Sequence, residues 1–82
     1  MKQYIATFYS HFGAVRFKRE RIAENIPAKL MPVPRTLSAS CGTCVQFQSE
    51  RPPERDPYGE VEQIVEIDGD DYIQVYFAEE NE

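Results

Sequence analysis

Two prolines constrain this chain more than any other pair of residues. Pro32 and Pro34 stand two apart in Ala28–Arg35 (AKLMPVPR), a stretch that otherwise reads as a β-strand. Neither has a backbone N–H, and residues two apart on a strand present those groups to the same side. A strand that cannot donate along one side belongs at the edge of its sheet. The first strand-like stretch, Lys2–Tyr9 (KQYIATFY), has the opposite character. Tyr4, Ala6 and Phe8 alternate with Ile5, Thr7 and Tyr9, so neither face is polar, as in a strand covered on both sides.

The remaining elements are placed around these two. Ser10 supplies an N-cap for a helix that opens at His11 and runs to about Asn25. Phe12, Val15, Ile22 and Ile26 fall at helical spacing, with the stem of Arg19 filling the gap and Phe17 lying off the stripe. Ile26-Pro27 closes the helix, because the residue before a proline avoids helical angles. Val45–Gln48 reads as a short third strand, and residues 49–59 as a Pro-rich loop. In Glu60–Ile67, Val61, Ile64 and Val65 fit a short helix, whereas Gln63 breaks the alternation a strand would need; a hairpin turning at Asp68-Gly69 is the alternative. Tyr72–Phe77 is a last strand, and residues 78–82 form an acidic tail. The order β-α-β-β-(α)-β predicts one α+β domain over residues 1–82. It is a ferredoxin-like sandwich, with an antiparallel or mixed sheet and helices on one face. That arrangement places strands 1 and 3 centrally and strand 2 at an edge, as the prolines ask.

Chemistry concentrates in Ser38-Ala39-Ser40-Cys41-Gly42-Thr43-Cys44, which holds both cysteines of the protein. Their loop is too short to staple a fold, so a disulfide-scaffold module is excluded and a reducing, cytoplasmic setting is expected. If strands 1 and 2 run parallel, the loop leaves strand 2 at the end where the first helix begins. Cys41 is then expected near that helix N-terminus, with His11 and Arg35 in the neighbourhood. A helix N-terminus, a nearby cation, Ser40 and the Gly42 amide would all favour a thiolate. Cys41 and Cys44 could act as a carrier and its resolving thiol, as a redox dithiol, or as part of a zinc site. Zinc wants four ligands, and the chain offers Cys41, Cys44 and His11, leaving a carboxylate such as Glu50 or a dimer to complete the set. A thioredoxin-like dithiol normally opens a helix, whereas strand-like residues follow Cys44.

Charge excludes other classes. Residues 1–35 carry seven Lys/Arg and two acids, and residues 36–82 carry two Arg and twelve acids. The basic part is mostly one helix face (Arg16, Lys18, Arg19, Arg21), and an acidic chain without a second basic element is a poor nucleic-acid binder. The start of the chain lacks the apolar core of a signal peptide, and no run approaches a membrane span. The Asp68/Asp70/Asp71 cluster lacks calcium-loop spacing. No phosphate-binding glycine motif, Ser/His/Asp set or carboxylate pair is visible, and no cofactor is expected. The strand with one unpaired side leaves a homodimer open, although its prolines blunt that edge.

Tyr4–Ala14 (YIATFYSHFGA), Ala28–Arg35 (AKLMPVPR) and Ser38–Phe47 (SASCGTCVQF) together resemble the putative selenium/sulfur carrier protein-like family of small bacterial domains. The resemblance covers most of residues 4–48 and fades after Ser49. It implies a chalcogen carrier rather than a stand-alone enzyme. Cys41 corresponds to the family's Ser-Cys-Gly cysteine, and the partners would be a donor of desulfurase or sulfurtransferase type and an acceptor. Cys44 belongs to a Cys-Gly-x-Cys version of the motif, in which it assists.

Overall fold

A computed structural model describes residues 1–50 and 56–78. The order is β1 (Lys2–Phe8), α1 (His11–Ala23), β2 (Ala28–Pro32), β3 (Thr43–Ser49), β4 (Val61–Asp68) and β5 (Asp71–Phe77). The five strands form one sheet in the order β2-β3-β1-β4-β5, every neighbouring pair antiparallel. β1 is central and β2 is an edge strand, so Pro32 lies where its missing donor costs no ladder bond. The strand ends there, short of the expected Arg35, and Pro34 stands in the connection that follows, its carbonyl accepting from Leu37 N. Residues 51–55 of the expected loop at 49–59 and residues 79–82 of the expected acidic tail lie outside the described residues.

The fold is α+β, but the ferredoxin-like arrangement is not confirmed. Among the described residues there is one helix, and the stretch expected as a second helix is strand β4. It forms a hairpin with β5 through a two-residue turn, in which Gly69 takes the positive φ (63°) that tight hairpin turns require. Gln63, whose polarity argued against a strand, is buried with its polar atoms partnered. Its Nε2 donates to the Ser38 carbonyl at 3.2 Å, and its Oε1 accepts from Gln74 Nε2 at 2.9 Å. A buried amide with both ends bonded removes the cost that made the strand look unfavourable.

β1 is apolar on both faces because both are covered. Tyr4, Ala6 and Phe8 meet α1 residues Ala14 and Phe17, together with Val45, Phe47, Val61 and Ile64. Ile5 lies on the opposite face with Cys44 and Val65, over which Met31, Val33, Leu37 and Ile67 pack. The helix is capped as expected, with the Ser10 hydroxyl accepting from Gly13 N at 3.3 Å. It ends at Ala23, earlier than Asn25, because Asn25 turns left-handed (φ 65°) and Ile26 N bonds back to the Arg21 carbonyl.

The expected helix stripe is overturned. Phe12 is 65% exposed and Ile22 50%, whereas Phe17 packs edge-on against Phe8 and Phe47. Small residues decide which side faces the sheet. Gly13 and Ala14 are buried, and a Cβ on Gly13 would lie 3.0 Å from Glu60 Cβ. The line of closest approach therefore runs through 13, 14 and 17, and the bulkier Phe12 is left outside. There it lies beneath the Arg16 guanidinium, which also stacks on Tyr58 and pairs with Glu60 at 2.7 Å.

Candidate functional site

The site is built from the β2–β3 connection, residues 33–42, which folds back over the sheet face opposite the helix. A turn closes it where Leu37 N donates to the Pro34 carbonyl, and Leu37 and Val33 pack on the Ile5/Cys44/Val65 cluster. The strap then reaches two strands across, to β4. Gln63 holds the Ser38 carbonyl, and the Glu62 carboxylate accepts from both the backbone N–H and the hydroxyl of Ser40, each at 2.9 Å.

Glu62 is able to do this because the ladder is irregular there. Thr7 pairs with Gln63 and Phe8 with Val61, so Glu62 is the extra residue of a β-bulge on β4. Bulges re-aim side chains, and this one turns a carboxylate toward the residue preceding Cys41. Sequence reasoning missed Glu62, because a helix at Glu60–Ile67 gives no reason to single it out.

The two cysteines occupy different environments. β3 begins at Thr43, two residues earlier than the expected Val45, so Cys44 lies in a strand while Cys41 stays on the strap. Both are free thiols; Cys41 is half-buried and Cys44 fully buried. Cys44 pairs with Met31 on one side and Thr7 on the other, and its Sγ donates to the Pro32 carbonyl at 3.6 Å. Burial first, and then the neighbouring Cys41, push the Cys44 thiol up to about 11. Cys44 is therefore protonated at neutral pH. The hydroxyl of Thr7, opposite it on β1, is buried without a partner among the described residues.

The other expected site residues divide. β1 and β2 both run antiparallel to β3, so their C-terminal ends share one end of the sheet with the helix start. His11, exposed in the first helical turn, places Nδ1 3.3 Å from Thr43 Oγ1, tying the helix start to the residue between Gly42 and Cys44. The Gly42 carbonyl accepts from Val33 N at 3.1 Å. A Cβ on Gly42 would meet nothing, so neither conformation nor space demands glycine there. Arg35 is exposed on the strap and has no hydrogen bond or ion pair among the described residues. Ser40 has both its donors on Glu62. No group of three or more His, Cys, Asp and Glu is placed to hold a metal ion among the described residues, so Cys41 and Cys44 gain no further zinc ligand there.

A cavity of about 230 Å³ lies on the other face, between α1, β4 and Asp56–Tyr58. Its floor includes Phe8, Phe17, Val61 and Ile64. Its rim is occupied by the Arg16–Glu60 pair and by the Tyr58 hydroxyl, which donates to Glu20. Among the described residues its lining includes none of the strap, and the two regions share only strand β4.

Fold and site define a small α+β domain that presents one thiol on a tethered loop and keeps its neighbour protonated in the sheet. The chain belongs to the family described as putative Se/S carrier protein-like, which matches residues 3–69 and so spans β1 through the start of the β4–β5 turn. Comparison with curated proteins gave no match, and comparison with solved structures gave none. No helix among the described residues is long and apolar enough to cross a membrane.

Proposed function

We propose that this protein carries a sulfur or selenium atom on Cys41 and hands it to an acceptor. The asymmetry of the cysteine pair carries the reading: Cys41 is half-buried on a strap, while Cys44 is buried and held as a thiol. Membership of the family supports the cargo class.

In loading, the Cys41 thiolate attacks the outer sulfur of a donor persulfide. A bond forms between Cys41 Sγ and that sulfur, the donor S–S bond breaks, and the donor leaves as a thiolate. Nothing is oxidised or reduced overall, so the step requires no cofactor. Delivery reverses the roles, with an acceptor nucleophile taking the outer atom and Cys41 leaving. Arg35, the Gly42 amide and the helix start at His11 are the groups of this chain that would face the persulfide anion. Ser40, with both donors on Glu62, holds the strap instead.

Cys44 offers a second way out. Its thiolate can attack Cys41 Sγ, closing a disulfide and expelling hydrosulfide; the two cysteines are oxidised as the outer sulfur is reduced. A thiol reductant then resets the pair. With its thiol pushed up to about 11 and bonded to the Pro32 carbonyl, Cys44 attacks slowly while the sheet is intact. The loaded state is thereby protected from early release.

Incubating the reduced protein with a cysteine desulfurase and cysteine, followed by an alkylating trap and intact mass, tests the proposal. One added sulfur should appear on wild type and on Cys44→Ser and be absent from Cys41→Ser. Freely alkylated protein without added sulfur would overturn sulfur carriage, and the same assay with a selenium donor would decide the remaining cargo.

A further inference from the structure

The outer strand β5 is built unlike the opposite edge. β2 carries Pro32 and Lys29, features that discourage a further strand. β5 (Asp71–Phe77) has neither proline nor lysine, and four of its side chains are large, apolar and exposed: Tyr72 by 37%, Ile73 by 46%, Val75 by 38% and Phe77 by 58%. It lies beyond the family match, which ends at Gly69, so this edge is added to the part of the chain that the family describes.

Charge indicates what the edge accepts. Residues 56–82 contain ten acids and no lysine, arginine or histidine. Asp68, Asp70 and Asp71 are exposed at the hairpin end of β5. A second copy added in parallel on this edge would set Asp70 and Asp71 beside their own counterparts, and like charges across a strand pair are destabilising. An extended segment of apolar and basic residues meets both demands: open backbone groups with exposed apolar side chains, and the carboxylates of Asp68, Asp70 and Asp71. These three have no ion pair among the described residues, whereas Glu60 and Glu66 are paired with Arg16 and Lys2.

We propose that β5 is a docking edge for an extended apolar-basic segment of a partner protein, which adds to the sheet as a sixth strand. The surface joins the strap through two adjacent residues of β4, Glu62 and Gln63. Ala78, directly after β5, donates its N–H to the carbonyl of Glu62, the residue that clasps Ser40, and Gln74 on β5 bonds the Gln63 that holds Ser38. A partner seated on β5 thus lies next to the elements that hold Cys41. The proposal does not depend on what Cys41 carries.

The test uses the full chain and a labelled short peptide of alternating lysine and valine, read by fluorescence anisotropy at low and moderate salt. Three comparisons accompany it: the same peptide with a central proline, a glutamate-valine peptide, and the protein variant Ile73→Lys/Val75→Lys. The lysine-valine peptide should bind. Binding should weaken about tenfold with the proline peptide or the double variant, and be lost with the glutamate peptide. Equal binding of the proline peptide would show charge attraction without strand addition and overturn the proposal; no binding would do the same. Sedimentation showing a wild-type dimer that Ile73→Lys/Val75→Lys abolishes would also overturn it, by making a second copy the occupant. Because the peptide comparison uses wild type, a variant that fails to fold leaves the test decisive.

Discussion

At the scale of single residues, one methylene thiol decides how the pair divides its work. Cys44 is closed in by Ile5, Val65, Met31 and Leu37, a setting that disfavours a charged sulfur. Its folded pKa lies above the unfolded one, so the native state keeps the proton longer. The corresponding stability is fully present below about pH 9 and is lost as pH rises to about 11. Urea unfolding over that range should show wild type losing on the order of 2–3 kcal/mol more than Cys44→Ala. Parallel slopes for the two proteins would refute the buried-thiol assignment. In native protein at pH 8, iodoacetamide should modify Cys41 well before Cys44.

At the scale of elements, the helix and the strap each yield a contrast. Phe17→Ala removes the ring wedged against Phe8 and Phe47 and should cost about 3–5 kcal/mol, enough to unfold a domain this small. Phe12→Ala loses only a stacking surface for Arg16 and should cost about 1 kcal/mol or less. Thermal melts of the two separate this helix orientation from the apolar stripe, which would reverse their order. In the strap, Glu62→Gln weakens two charge-assisted hydrogen bonds to Ser40 without a change of size. Cys41 should then alkylate several-fold faster with little change in melting temperature; an unchanged rate would mean that the clasp does not restrain the loop.

These elements also show what the sequence made legible. The edge position of β2 followed from two missing N–H groups, and the central position of β1 from a pattern without a polar face; both are local facts with one structural outcome. That the strap leaves β2 at the end of the sheet where α1 begins followed from strand direction alone. The helix face was misread because spacing identifies apolar residues but not distance. Gly13 and Ala14 let α1 approach the sheet, and that approach selected Phe17 over Phe12. β4 was misread because Gln63 finds its partners on Ser38 and Gln74, both distant in sequence. The bulge at Glu62 has no sequence signature, and with it went the clasp on Ser40.

At the scale of the whole molecule, the connections at one end of the sheet gather the chemistry. The helix start, the strap and the beginning of β4 meet there, while the other sheet face is covered by α1. The acidic half of the chain forms the β4–β5 side, and the basic residues lie mainly on α1, so a partner approaching the strap meets both signs of charge. Function in this account rests on one thiol made available and one withheld. The most direct test is fragment-ion mass spectrometry of wild-type protein loaded by a desulfurase and trapped at neutral pH, locating the added sulfur between Cys41 and Cys44. The account predicts it on Cys41 with Cys44 unmodified; added sulfur on Cys44 would contradict it.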